Sequence, residues 1–296
     1  MRPLCCIATL CKTDKPGTQY YPVKILFASD VHYPNSDRSL KLFSYLKQAD
    51  LLVLAGDVFT HGSHEDLRKF LRKLRKVYRG PLVAVPGNHE HWLTEGEKRK
   101  ITSLSKVGTL AKVYREFDGT LLQVDGPYPI TQDLYLVGTT GWYDYSFARD
   151  LNFSDRDFEN CNPHNCSREE IAICEKRGFC DCRTWFNDCV YVNLGISNED
   201  YLQRNVNILE DQLRKVGRAI VVLHHVPRRE LVATTGDRYT DFFLAFDGSE
   251  RLDEVIRRYD VEYVIYGHLH DRSRQDHVVI EGVHYVNAYN FFLLEL

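Results

Sequence analysis

The 296-residue chain has no apolar run approaching the roughly 18 residues that a membrane-spanning helix needs. Its longest apolar runs, Leu51–Ala55 and Ala219–Leu223, have the length of buried strands. A charge excess is lacking too. The 38 Lys+Arg and 41 Asp+Glu leave a formal net charge of −3, which gives no global pull toward nucleic acid or anionic lipid. No internal repeat and no low-complexity tract is found. Leu4–Leu10 is apolar, but it is short, follows one early Arg and has no clear small-residue cleavage site. A secretory signal is therefore not expected, and the cytoplasm is the expected compartment. What is present is the balance of a globular protein: 44% hydrophobic and 27% charged residues, which excludes a disordered chain.

The pattern along the chain is that of an α/β protein. Residues 1–22 hold Cys5, Cys6, Cys11, Pro16, Gly17 and Pro22 with little periodicity, and read as an irregular leader. From Val23 a rhythm begins. Val23–Ser29, Leu51–Ala55 and Leu82–Val85 read as buried strands. Between them, Asp37–Gln48 carries Leu40, Phe43 and Leu46 at helical spacing. Ser63 and Asp66 form a capping-box pattern before Leu67, Phe70, Leu71, Leu74 and Val77. Strand–helix–strand–helix–strand is the signature of a parallel sheet. The rhythm resumes with strands at Leu134–Val137, Ala219–Leu223 and Val261–Tyr266, and with helices from Ser197 to about Val216 and at Glu250–Tyr259. Val278–Ile280 and Val283–Val286, joined through Glu281-Gly282, read as an antiparallel hairpin, so the sheet is expected to be mixed. Residues 146–196, rich in Asn, Asp and Cys, read as an insertion in a single domain spanning 23–296.

Chemistry-bearing residues stand at the strand ends. After Val23–Ser29 comes Asp30-Val31-His32. Leu51–Ala55 is followed by Gly56-Asp57, and Leu82–Pro86 by Gly87-Asn88-His89-Glu90. Ala219–Leu223 leads into His224-His225, and Val261–Tyr266 into Gly267-His268-Leu269-His270. In α/β sheets the carboxyl ends of strands converge on the ligand crevice. Taken singly, each such residue is read as an ordinary loop residue. Five motifs in order, each at a strand end, are not. Asp30 and Asp57, brought within about 4 Å at an effective dielectric of ~20, would repel by roughly 4 kcal/mol, and no basic residue in these motifs offsets that. A cation does. Imidazoles, carboxylates and an Asn carbonyl suit Mn²⁺, Fe²⁺/Fe³⁺, Zn²⁺ or Co²⁺, and the lack of motif cysteines argues against Cu(I). Asp30, His32, Asp57, Asn88, His224, His268 and His270 are too many ligands for one four-coordinate zinc. They fit two metals roughly 3.5–4 Å apart with one carboxylate bridging.

Asp30-x-His32, Gly56-Asp57, Gly87-Asn88-His89-Glu90, His224 and Gly267-His268-x-His270 together resemble the motif set of the calcineurin-like metallophosphoesterases, over roughly Val23 to Asn287. Gly141-Trp142-Tyr143-Asp144-Tyr145 and the stretch Arg183–Leu231 are also similar to a group of uncharacterised prokaryotic members. The resemblance implies a four-layer α-β-β-α sandwich with mixed sheets. It implies one metal on Asp30, His32, His270 and Asp57, and a second on Asp57, Asn88, His224 and His268. His89 would contact the phosphate and protonate the leaving group. His225 is the alternative to His224, because adjacent residues at a strand end point opposite ways. The implied activity is phosphodiester or phosphomonoester hydrolysis by a metal-bridging hydroxide. The site's charge agrees: two carboxylates carry two negative charges, and two divalent cations reverse the sign and attract a phosphoester. A nuclease acting on DNA or RNA and a non-catalytic scaffold of the same fold are the alternatives. The natural substrate and the oligomeric state are not readable.

Three further features carry weaker signals. Arg68, Lys69, Arg72, Lys73, Arg75, Lys76 and Arg79 form a basic helix, which reads as the solvated side of an amphipathic helix in preference to a nucleic-acid patch. Six of the nine cysteines, Cys161, Cys166, Cys174, Cys180, Cys182 and Cys189, fall in the insertion. They could hold an extra zinc or iron–sulfur cluster with His164, form disulfides or stay free, and their spacings match no paired C-x₂-C pattern. Trp142, Tyr143, Asp144, Tyr145, Arg149, Arg228 and Arg229 could line a substrate groove, but packing and surface roles are favoured for them.

Overall fold

The computed structural model describes residues 23–60, 63–161, 169 and 186–296. The expected leader at 1–22 lies outside the described residues, as do His164, Cys166, Cys174, Cys180 and Cys182 of the insertion.

Two mixed sheets form the centre. The first has the order β11-β1-β2-β3-β4, from Phe292–Glu295, Lys24–Ala28, Leu51–Ala55, Leu82–Val85 and Gly119–Leu121. Its strands β1 to β4 are parallel, and β11 runs antiparallel beside β1. The second has the order β5-β6-β7-β8-β10-β9, from Tyr128–Pro129, Leu134–Thr139, Arg218–Leu223, Asp260–Tyr266, Val283–Asn287 and His277–Ile280. Here β6, β7, β8 and β10 are parallel, with antiparallel β5 and β9 at the edges. The expected hairpin is the β9–β10 pair, with Val283 opposite Ile280.

The period-two alternation of a strand decides which layer each side chain joins. Ile25, Phe27, Leu51, Val53, Val83 and Val85 face the second sheet and pack with Leu136, Ile220, Val222, Ile265 and Val286. Their neighbours Leu26, Leu52, Leu54 and Leu82 face outward, onto α1 (Arg38–Tyr45), α2 (His64–Val77) and α3 (Ser103–Glu116). On the far side Val137, Val221, Leu223 and Val264 meet α4 (Asn198–Leu213) and α5 (Glu250–Ile256). The result is helix on sheet on sheet on helix. Strands covered on both faces read as continuous apolar runs, which is why they were legible.

The helices start where their caps say. Ser63 accepts from the N–H groups of Glu65 and Asp66, and Ser197 from that of Asp200. Two expected core positions differ. Leu40 is 68% exposed, because α1 turns Leu42 toward the sheet, with Leu46 just beyond its end. Val77 is 57% exposed at the C-terminal end of α2, one residue before the helix cap Tyr78. Burying Leu67, Phe70, Leu71 and Leu74 holds α2 in place, at about 2–5 kcal/mol for each Leu truncated to Ala. Its cations are engaged locally. Arg68 pairs with Glu116, Lys69 with Asp66 and Arg72 with Glu65, while Arg75 donates to the carbonyls of Phe117 and Gly80.

The aromatic segment after β6 packs inward: Trp142 and Tyr143 are buried, and Tyr145 stacks on Phe158. Arg228 pairs with Asp253 and Glu230, and Arg229 donates to the Phe147 carbonyl. Cys161 and Cys189 form a disulfide, with Cα atoms 6.3 Å apart.

Candidate metal centre

The carboxyl ends of β1, β2 and β3 in one sheet meet those of β7 and β8 in the other. Beyond the strands the loops stay in register: Asp30 N–H donates to Gly56 O, His32 N–H to Asp57 O and Gly267 N–H to His224 O. This continuation brings all eight expected residues into one cleft.

The contacts run as a chain. His270 Nε2 lies 3.2 Å from Asp30 Oδ1 and 3.2 Å from His32 Nε2. His32 Nε2 is 3.8 Å from Asp57 Oδ2, and His89 Nε2 is 3.6 Å from the same oxygen. The other oxygen, Asp57 Oδ1, is 3.5 Å from His224 Nε2, which in turn is 3.0 Å from Asn88 Oδ1. Three sets of donor atoms are each close enough together to hold a metal ion: Asp30, His32 and His270; His32, Asp57 and His89; Asp57, His224 and His268. Donor geometry alone therefore admits His89 as a ligand as well. His225 joins none of these sets. Its Nδ1 is 3.2 Å from the Thr140 carbonyl, and its ring packs against those of Trp142, 4.9 Å away, and His268, 4.6 Å away.

Backbone conformation is unusual here. Asp30, His32, Asp57, His268 and His270 have φ of 54°, 47°, 52°, 69° and 51°, the left-handed region that non-glycine residues seldom enter. Such strain, on the order of 1–3 kcal/mol each, persists where surrounding structure enforces it and clusters at functional sites. Two glycines are required by close approach. A Cβ on Gly56 would lie 2.4 Å from His224 Nδ1, and one on Gly87 would lie 2.1 Å from Asp57 Oδ1.

The electrostatics call for positive charge. Burial opposes ionisation of Asp57, but His224 and His89 hold it well below the usual carboxylate range. Asp30 is lowered in spite of its burial by His270 and His224. Burial disfavours a charged His224, yet Asp57 and Asp30 raise it to about 10. A proton there is the smallest cation that can balance two buried carboxylates. His268 Nε2 is buried with no hydrogen-bond partner and belongs to the donor set of Asp57, His224 and His268. The residues present thus fit divalent cations in donor type, in charge and in this unsatisfied nitrogen.

Residues that the sequence reading gave no role support this shell. Glu90 accepts from the N–H groups of Asp57, Val58 and Gly87, and so ties two motif loops together. Asp247 lies 3.7 Å from His268 Nε2 and pairs with Arg272. Arg38 donates to Asp30 O and Ser29 O and covers the ring of Tyr289, which stacks on His270. Asp188 accepts from Asn88 and Trp92. Only Glu90 had a signal, its place in the Gly87–Glu90 motif.

His89 is held on three sides. Its backbone N–H donates to Asp57 Oδ1, its Nδ1 is 2.7 Å from the Thr60 carbonyl, and its ring stacks on Trp92 at 3.6 Å. Burial pushes its pKa down to about 4, against Asp57 and the Thr60 carbonyl, which raise it. The deep floor of the cleft is Asp30, Asp57, Asn88 and His224, all buried. The mouth lies on the His32, His89 and His270 side, where the His270 side chain is 44% exposed.

Residues 23–272 match the calcineurin-like phosphoesterase family, and the chain belongs to that family. It is a metal-dependent phosphoesterase: the family works with divalent metal ions, and the His/Asp clusters carry suitable donors. Among solved structures, the phosphopantetheinyl hydrolase of Mycobacterium tuberculosis is similar at 20% identity with a TM-score of 0.66, covering 90% of this chain and 88% of that one. A dimetal phosphatase from Danio rerio is 16% identical with a TM-score of 0.44, covering 90% and 86% of the two chains. No curated relative matches the sequence.

Proposed function

We propose that the protein is a dinuclear phosphoester hydrolase acting on a phosphodiester or phosphomonoester. The observation that carries this reading is the placement of Asp57. One of its oxygens faces His32 and the other faces His224, so a single carboxylate is shared between two donor groups. Asp30, His32, His270 and Asp57 would hold one ion, and Asp57, Asn88, His224 and His268 the other. When bound, two divalent cations supply Lewis-acid stabilisation of phosphoryl oxygens and an activated solvent nucleophile. Mn²⁺ is the ion proposed for first trial, because mixed oxygen and imidazole donors suit it.

The chain's own residues do the rest. The exposed side of His32, His89 and His270 admits the anionic substrate, while the buried carboxylates keep the ions in place. His89 contacts the phosphate, its plane fixed by Trp92 and its Nδ1–H committed to Thr60. An arriving phosphate anion raises the basicity of Nε2, which would then take up a proton from solvent and pass it to the leaving alkoxide. The proposal includes one domain over 23–296 with an insertion at about 146–196. It also includes a cytoplasmic location, against which stands the Cys161–Cys189 disulfide, a bond typical of oxidising compartments. The engaged cations of α2 lend no support to the nuclease alternative.

The test is a panel of an aryl phosphodiester, an aryl phosphomonoester and a phosphopantetheinyl ester on Mn²⁺-loaded protein and two variants. Asp57→Asn is expected to lose metal binding and turnover together. His89→Ala is expected to keep both ions while kcat falls roughly 10²–10⁴-fold. Full activity of Asp57→Asn, or loss of an ion in His89→Ala, would contradict the assignment.

A further inference from the structure

The short helical turn Asp188–Tyr191 is contributed by the cysteine-rich segment, and its Cys189 is bonded to Cys161. It reaches the cleft with two side chains. Asp188 is buried, and its Oδ1 accepts from Asn88 Nδ2 at 2.9 Å and from Trp92 Nε1 at 2.6 Å. Its Oδ2 accepts from the Tyr143 hydroxyl at 3.4 Å. Tyr191 stacks on Trp92 at 4.8 Å, and Trp92 stacks on His89 at 3.6 Å. The backbone joins in: Leu93 N–H donates to Tyr191 O at 2.8 Å.

A carboxamide has one donor end and one acceptor end, and holding the first on a carboxylate aims the second. Asn88 Nδ2 on Asp188 turns Oδ1 toward His224 Nε2, 3.0 Å away. Flipped, the amide would present its oxygen to the Asp188 carboxylate and its N–H₂ to the cleft. The same carboxylate oxygen fixes the indole of Trp92, against which the His89 ring lies flat. We propose that Asp188 is a positioning residue: it aims the Asn88 oxygen at the second metal position and, through Trp92, sets the plane of His89. This rests on the reading of Asn88 as a ligand and His89 as the phosphate contact.

The test is Mn²⁺ titration of the full chain, with kcat measured alongside, for wild type, Asp188→Leu, Asp188→Asn and Asn88→Ala. Asp188→Leu is expected to weaken the second Mn²⁺ roughly 10–100-fold, to leave the first unchanged and to lower kcat. Asp188→Asn is expected to restore the second ion, because its carbonyl oxygen can accept both donors. Wild-type titration by Asp188→Leu, or equal loss in Asp188→Asn, would overturn the proposal. Asn88→Ala separates the two claims. If it loses the second ion while Asp188→Leu keeps it, only the positioning role fails. If Asn88→Ala keeps both ions, the ligand assignment fails first. Should Asp188→Leu not fold by circular dichroism, Asp188→Ala, where water can fill the gap, is read against the same outcomes.

Discussion

At the scale of single residues the cleft is a set of exceptions to ordinary backbone preference. Left-handed φ at Asp30, His32, Asp57, His268 and His270 aims five side chains inward from loops that extended chain would carry away from one another. Gly87 shows how little room that leaves, since a Cβ there would overlap Asp57 Oδ1. Gly87→Ala is therefore expected to displace the shared carboxylate and abolish Mn²⁺ binding in a protein that still folds, as isothermal titration beside circular dichroism would show. Gly108 is the control. It lies inside α3 with open space where a Cβ would go, so Gly108→Ala is expected to stabilise by about 0.5–1 kcal/mol in urea unfolding and to leave metal binding alone. The side chains that meet in the cleft were legible because Asp, Asn and His stand at successive strand ends. Asp188, Asp247 and Arg38 were not. Each is an ordinary polar residue in its local sequence, and its role is set by partners at separations of 100, 21 and 8 residues in the chain.

At the scale of elements the doubly covered strands announced themselves, while elements without a clear stripe did not. No expectation was formed for α3, β4 or β11. Gly119–Leu121 is only three residues long, Phe292–Glu295 is not buried along its whole length as Leu82–Val85 is, and α3 buries Lys106 among its apolar residues. The Lys106 ammonium donates to Trp92 O and Glu97, and so ties the loop after the Gly87–Glu90 motif to a helix. Burial opposes ionisation of Glu97, but the Thr94 N–H and Lys106 lower its pKa. Because the folded-state value is lowered, the contribution of this carboxylate is present above its ordinary range near 4.5 and lost as the pH falls through the lowered value. Lys106→Met is expected to destabilise by about 1–3 kcal/mol at pH 7, and the gap from wild type is expected to narrow on acidification below that range. Urea unfolding at several pH values checks both; a gap that widened in acid would refute the linkage. For α2, Arg72→Gln with Lys76→Gln is expected to change stability by less than about 0.5 kcal/mol and turnover not at all. Strongly salt-dependent DNA or RNA binding lost in that pair would restore the nucleic-acid reading.

At the scale of the whole molecule the cleft exists because two sheets present their carboxyl ends at one edge of the sandwich. The proposed donors are divided between the sheets: the first brings Asp30, His32, Asp57, Asn88 and His89, the second His224, His268 and His270. That division ties metal binding to the packing of Ile25, Phe27 and Val53 against Ile220, Val222 and Ile265. The most direct measurement is anomalous-difference crystallography of the Mn²⁺-loaded protein. Two peaks roughly 3.5–4 Å apart are expected, with Asp57 between them, Asp30, His32 and His270 on one, and Asn88, His224 and His268 on the other. A single peak, or a pair outside this cleft, would contradict it.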